Sequence, residues 1–170
     1  MKIRLLGAAL VIFGCGFIGR LLVLSKRNEL STARELILML DNLACELQYR
    51  ITPLPELCNI ISAQTKGTLK QLFAYFADEL NGQISPNVQI CMASAIKKTA
   101  HIPYLTKKYI ILLGQTLGHY ELEGQIKGIQ TVRDECAREV ESFSKDLELR
   151  MRCYQSLSLC AGAALVILLI

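Results

Sequence analysis

The sequence predicts an all-α protein, a cytoplasmic six-helix bundle flanked by N-terminal and C-terminal transmembrane helices. Three observations predict it. The composition is 52% hydrophobic against 20% charged, mean hydropathy is +0.34, and the apolar residues gather at the two ends. Leu5–Gly19 carries no charge, Leu21–Leu24 follows after Arg20 alone, and Gln155–Ile170 is again uncharged. Between the ends, apolar residues recur three and four apart, the period of an amphipathic helix, and no stretch alternates as a strand would.

The N-terminal segment, residues 3–24, is long enough as a helix to cross the roughly 30 Å hydrocarbon core. Arg20 lies near its Lys26-Arg27 end, within snorkelling reach of headgroups. A rival reading starts from the same residues. Met1-Lys2-Ile3-Arg4 followed by a Leu-rich run suits a signal peptide, and Ile12-Phe13-Gly14-Cys15 resembles a lipoprotein cleavage site. Phe13 is bulky for such a site, and the chain stays apolar after Cys15. The alternative is an exported lipoprotein or envelope-facing structural module anchored at Cys15. The C-terminal segment, residues 153–170, is shorter, about 25 Å of apolar helix from Tyr154, enough to span with local thinning. Gly14, Gly16 and Gly19 in the first segment and Ala161–Ala164 in the second would let membrane helices approach closely, although small residues are common in any such helix. Lys26 and Arg27 after the first segment, with Lys145, Arg150 and Arg152 before the second, put residues 25–152 on the cytoplasmic side by the positive-inside rule. Lys2 and Arg4 argue the other way.

The middle region divides into six helices. The first, from about Leu30 to Tyr49, carries Leu30, Ala33, Leu36, Ile37, Leu40, Leu43, Ala44 and Leu47 on one stripe. Ser25–Asn28 is the expected flexible joint before it. Thr52 is placed to cap the second helix with Pro53 at its first position; Leu54, Leu57, Cys58, Ile60 and Ile61 face inward, and Gly67 is expected to end it. The third carries Leu69, Leu72, Phe73, Phe76, Ala77 and Leu80 and stops at Asn81-Gly82. Ser85-Pro86 opens the fourth, with Val88, Cys91, Met92, Ala95 and Ile96 inward. A connector, His101–Leu105, leads to the fifth, which Thr106 would cap, with Ile110, Leu113 and Leu117 inward and Gly118 as its stop. The sixth keeps its rhythm from Leu122 through Ile126, Ile129, Cys136, Val140, Phe143, Leu147 and Met151 to Tyr154. No Pro or Gly interrupts Ile129–Cys160, so this helix is expected to run on into the C-terminal segment.

The chain offers little chemistry. Of its 19 basic residues only Lys2, Arg4 and Arg20 lie outside Lys26–Arg152, which holds all 15 acidic residues, so the middle region is close to neutral. Such a balance, with no Trp, gives neither the basic excess nor the stacking platform of a nucleic-acid binder. His101 and His119 have no partner at metal-ligand spacing. Glu121 and Glu123 sit at a helix start, where opposing the dipole is their ordinary role. No glycine-rich loop follows a strand, and no Ser or Cys has a partnered His. No catalytic residue, cofactor or metal is therefore expected. The seven cysteines are odd in number and lack a C-x-x-C pair, which suits reduced thiols in a helical core. Lys97-Lys98 and Lys107-Lys108 flank one connector. They are either solvated lysines or a basic patch for anionic headgroups or an acidic partner.

Two motifs then point to a family. Leu43-x-x-Glu46-x-x-Tyr49-x-x-Thr52-Pro53-Leu54-Pro55-Glu56 resembles the signature of stage III sporulation protein AB, as does Leu113-Gly114-Gln115-Thr116-Leu117-Gly118 with Gln125 and Lys127 downstream. The resemblance covers the whole chain. It implies a platform or adaptor without enzymatic activity, in the membrane of endospore-forming bacteria, its bundle on the mother-cell side. That bundle would be similar to the cytoplasmic domain of platform proteins of type II secretion and type IV pilus systems. The implied partners are a secretion-type ATPase, other membrane and ring components of the channel complex between mother cell and forespore, and membrane lipid, with self-association as a further candidate. Carried over by position, Glu46 and Tyr49 would close the first helix against the Thr52–Glu56 turn. Gly114, Leu117, Gly118, Gln125 and Lys127 would shape the junction of helices five and six. For the Thr-Pro-Leu-Pro-Glu turn, a plain helix junction competes with a partner contact. One departure is local: the family's Ser/Thr-Asp after the second glycine is His119-Tyr120 here, so the cap of helix six must come from elsewhere.

Overall fold

A computed structural model describes the backbone of residues 2–50, 52–82, 87–118 and 121–169, and the side chains of residues 26–50, 52–82, 87–118, 121–151 and 153. Six helices account for nearly all of it: α1 (Lys2–Arg50), α2 (Leu54–Gln64), α3 (Gly67–Asn81), α4 (Val88–Lys98), α5 (Tyr104–Thr116) and α6 (Leu122–Leu169). Among the described residues there is no strand.

The chain forms two compact units. One joins Met1–Asn28 with Glu141–Ile170; the other is Glu29–Val140. The expected membrane spans, 3–24 and 153–170, fall in the first. Apart from Cys153, their side chains lie outside the described ones; the backbone is helical through both, from Lys2 and up to Leu169. Among the described residues no helix is long and apolar enough to cross a membrane. Where this unit's side chains are described, α1 and α6 meet through long basic groups. Lys26 Nζ stands 5.3 Å from the centre of the Phe143 ring, and Arg27 Nη2 lies 3.8 Å from Met151 Sδ.

The second unit is built around helix stripes close to those the spacing predicts. Leu36, Leu40 and Leu43 of α1, Leu57 and Ile61 of α2, Leu72, Phe73 and Phe76 of α3, Met92 of α4, Ile110 and Leu113 of α5, and Ile129 and Cys136 of α6 are all shut off from solvent. Burying each large apolar side chain contributes about 1.5–3 kcal/mol. Phe73 and Phe76 meet edge to face, centroids 6.3 Å apart at 78°, the arrangement that sets the positive edge of one ring on the negative face of the other.

The helix ends differ from expectation in instructive ways. The expected joint at Ser25–Asn28 is helical, part of α1; the tetrapeptide holds no Pro or Gly to stop a helix. Thr52 does not cap α2. Pro53 holds the N-cap position without a side-chain bond, and its carbonyl accepts from Leu57 N at 2.9 Å. Thr106 likewise does not cap α5, which starts at Tyr104 behind Pro103; Thr106 is fully buried inside the helix. Proline explains both cases, since its fixed φ prepares the first turn unaided. Gly67 does not end α2. That helix stops at Gln64, where Thr65 Oγ1 donates to Ile61 O at 3.0 Å, and Gly67 (φ +54°) begins α3. Around Gly67 a Cβ would meet nothing, so the left-handed backbone is what calls for glycine there. Ser85-Pro86 lies outside the described residues. Asn87 caps α4, its Oδ1 accepting from Gln89 N at 2.9 Å. Gly82 and Gly118 stand where helices three and five were expected to stop.

Candidate functional site

No three His, Cys, Asp or Glu residues gather to hold a metal among the described residues. The charged side chains do something else: they tie helices together. Glu79 of α3 is buried, yet its Oε1 accepts from Ser94 Oγ at 2.9 Å and from Lys98 Nζ at 2.5 Å, both on α4. The Lys98 hydrogen bond, then that of Ser94, hold the Glu79 carboxyl below its ordinary range, and Lys98 is pushed up in return by Glu79. Glu139 of α6 receives Lys108 Nζ at 2.5 Å and the Tyr109 hydroxyl, both from α5. These two donors lower the Glu139 carboxyl. Burial, and next the carboxylate it faces, raise the Tyr109 phenol. Arg133 of α6 spans to Asp41 of α1 through two nitrogens, at 2.9 and 3.3 Å, a fork that suits a carboxylate. The possible basic patch thus splits. Lys98 and Lys108 are engaged in helix contacts, while Lys97 and Lys107 are exposed.

One shallow groove, about 290 Å³, runs between α1 and the α2–α3 corner. Met39 and Ile61 form its floor. On its rim Glu35 Oε1 accepts from Lys66 N at 2.9 Å, satisfying a free donor at the start of α3. Asn42 Nδ2 reaches Gln64 Oε1 at 3.5 Å. Leu38 stands over the groove 66% exposed. Counting along α1, Leu38, Asn42, Cys45 and Tyr49 are all exposed and recur four, three and four apart, so they share one face.

That stripe leads into the first motif. Leu43 is buried and Glu46 is half-buried; Glu46 Oε2 sits 3.6 Å from Arg50 Nη1 and has no hydrogen-bond partner. Tyr49 is 76% exposed. Thr52, Leu54 and Pro55 are partly covered, Pro53 and Glu56 open to solvent. The second motif is of another kind. Leu113, Gly114 and Leu117 are buried. A Cβ on Gly114 would lie 2.9 Å from Met92 Cγ, and one on Gly118 (φ +81°) 2.6 Å from Val88 Cγ2, so both glycines are pressed against α4. Gln125 N donates to Glu121 O at 2.9 Å, which starts the α6 ladder; Lys127 is exposed. His119-Tyr120 lies outside the described residues. The glycine that brings α5 and α6 together is one the motifs omit. A Cβ on Gly128 would fall 2.0 Å from Thr116 Cγ2. A glycine inside a helix costs about 1 kcal/mol against alanine, and that cost was the available signal.

The five cysteines with described side chains are free thiols. Burial pushes Cys58 and Cys136 up to about 12 and raises Cys91 as well. Cys45 and Cys153 are exposed.

Fold and site together define a helical-bundle protein whose polar groups join helices and which leaves one face of α1, with part of the turn after it, open to solvent. Across residues 4–170 the sequence matches the family of stage III sporulation protein AB (spore_III_AB), and the chain belongs to that family. Its role is in sporulation. A solved structure described as stage III sporulation protein AB (SpoIIIAB) is similar, with a TM-score of 0.57 and 21% identity over 69% of this chain and 94% of that one. Among curated proteins none matches.

Proposed function

We propose that the protein is a non-enzymatic membrane platform of the channel complex between mother cell and forespore, coupling a secretion-type ATPase to membrane and ring components. The family match over residues 4–170 carries this reading, because it takes in both apolar ends as well as the bundle. Those ends anchor the chain in the cell membrane, and the bundle stands in the cytoplasm of the mother cell. The exposed face of α1, from Leu38 to Tyr49, with Pro53 and Glu56 beyond it, is the surface offered to the ATPase.

Cys45 makes the test direct, being exposed on that face. In a chain whose other cysteines are replaced by serine, a membrane-impermeant thiol reagent leaves Cys45 unlabelled in intact cells and labels it after permeabilisation. The ATPase is then captured by this chain and lost from Leu38→Ala/Tyr49→Ala. Labelling of Cys45 in intact cells would overturn the cytoplasmic platform and favour the envelope-facing module.

A further inference from the structure

We propose that the corner between α4 and α5 docks on an anionic phospholipid surface through Lys97, Tyr104 and Lys107. The inference rests on the membrane-anchored reading above and adds to it a second, reversible contact of the bundle with lipid.

Three observations carry it. The first is exposure. Tyr104 is 79% exposed, more than any other large apolar side chain among the described residues. Lys97 and Lys107 are exposed too, and neither has an ion-pair partner among the described residues, whereas Lys98 and Lys108 each hold a carboxylate. The second is register. Met92 faces Gly114 and Val88 faces Gly118, so α4 and α5 run antiparallel. Continued along both helices, that pairing sets Lys97 level with the Lys108–Tyr109 turn, and Lys107 lies one turn along α5 from Tyr104. The third is place. Leu105 N donates to Glu29 Oε1 at 3.2 Å, and Lys108 binds Glu139. Glu29 and Glu139 stand at or next to the two points where the chain crosses into and out of the unit Glu29–Val140. The corner therefore lies at the end of this unit from which the chain leaves for both apolar segments. On the N-terminal side only Ser25–Asn28 separates Glu29 from Leu24.

The chemistry suits a headgroup layer. A tyrosine settles at the interface with its ring among upper acyl carbons and its hydroxyl in water, while ammonium groups meet the phosphates of anionic lipid.

The chain has no tryptophan, so Tyr104→Trp introduces a single fluorescent reporter. The full chain would be reconstituted in vesicles of phosphatidylcholine carrying brominated acyl chains, with and without phosphatidylglycerol, and recovered by flotation. Expected are a blue-shifted emission and strong quenching in anionic vesicles, and weak quenching in neutral ones. Each lysine near an anionic surface is worth about fivefold, so Lys97→Gln/Lys107→Gln lowers the docking equilibrium about 25-fold. The same reporter in a Tyr49→Trp chain stays unquenched. Equal quenching in both vesicles overturns the anionic lipid class. A reporter left in water, in a chain that floats, overturns docking alone and turns the corner over to an acidic protein surface. A chain that does not float overturns the anchoring and the docking with it.

Discussion

The two stretches that carry the family resemblance are under opposite physical constraints. In Leu43–Glu56 three of the marked side chains look outward, Tyr49, Pro53 and Glu56, while Leu43 is buried and Glu46, half-buried, pairs with Arg50. In Leu113–Gly118 the marked residues are defined by missing atoms, since a Cβ at Gly114 or Gly118 would run into α4. Residues of one motif set can thus hold a fold together in one place and leave a surface free in another. Position in a motif does not distinguish them; space does.

Substitutions at the crowded corner should therefore cost most. Gly118→Ala adds left-handed strain of about 1–2 kcal/mol to about 1–3 kcal/mol of overpacking against Val88. Urea unfolding of the full chain in detergent, followed by circular dichroism, should show the combined loss. Val88→Ala should recover the packing part and leave the strain. Gly128→Ala comes next, at about 1–3 kcal/mol from the clash with Thr116. Thr116→Ser removes the offending methyl, and alanine is the better helix former by about 1 kcal/mol, so the double variant should match or exceed the parent. Failure of that rescue would break the claim that space fixes Gly128.

A smaller effect is expected on acidification. The Glu79 and Glu139 carboxyls lie below their unfolded values. Their contribution is complete above the ordinary carboxylate range and fades as pH falls through the folded values. Tyr109, Cys58 and Cys136 are shifted upward, and their contribution fades as pH rises beyond about 9 toward 12. The melting temperature should be flat between these limits, and Glu79→Gln should flatten its acid limb. At the open end, Tyr49→Ala should change stability by no more than about 0.5 kcal/mol while reducing ATPase capture. A large loss of stability there would erase the contrast between the two stretches.

Much of the bundle was legible from periodicity, because a three-four stripe directly encodes a buried helix face. Met39 and Tyr109, both buried, escaped because one sits beside its stripe and the other carries a polar tip that α6 satisfies through Glu139 and the Glu135 carbonyl. The ion pairs were not legible. Glu79 lies 19 residues from Lys98 and Asp41 lies 92 from Arg133, and nothing local in either sequence neighbourhood names its mate. The caps of the helices that start at Tyr104 and Leu54 were misplaced by three residues and one, since a threonine near a proline looks like a cap until the proline proves sufficient. Of the surface proposed for the ATPase, the motif residues were visible in sequence. The stripe from Leu38 that extends them along α1 was not, because exposure of an apolar residue can only be seen once the others are packed.

The distribution of thiols gives the molecule internal clocks. Cys58, Cys91 and Cys136 lie on α2, α4 and α6, each buried and held protonated, so each reacts only when its own helix lifts from the core. Timed alkylation of these three sulfurs would then report three local opening rates within one chain. The order in which they yield would show whether α2, α4 and α6 part company singly or as one cooperative body.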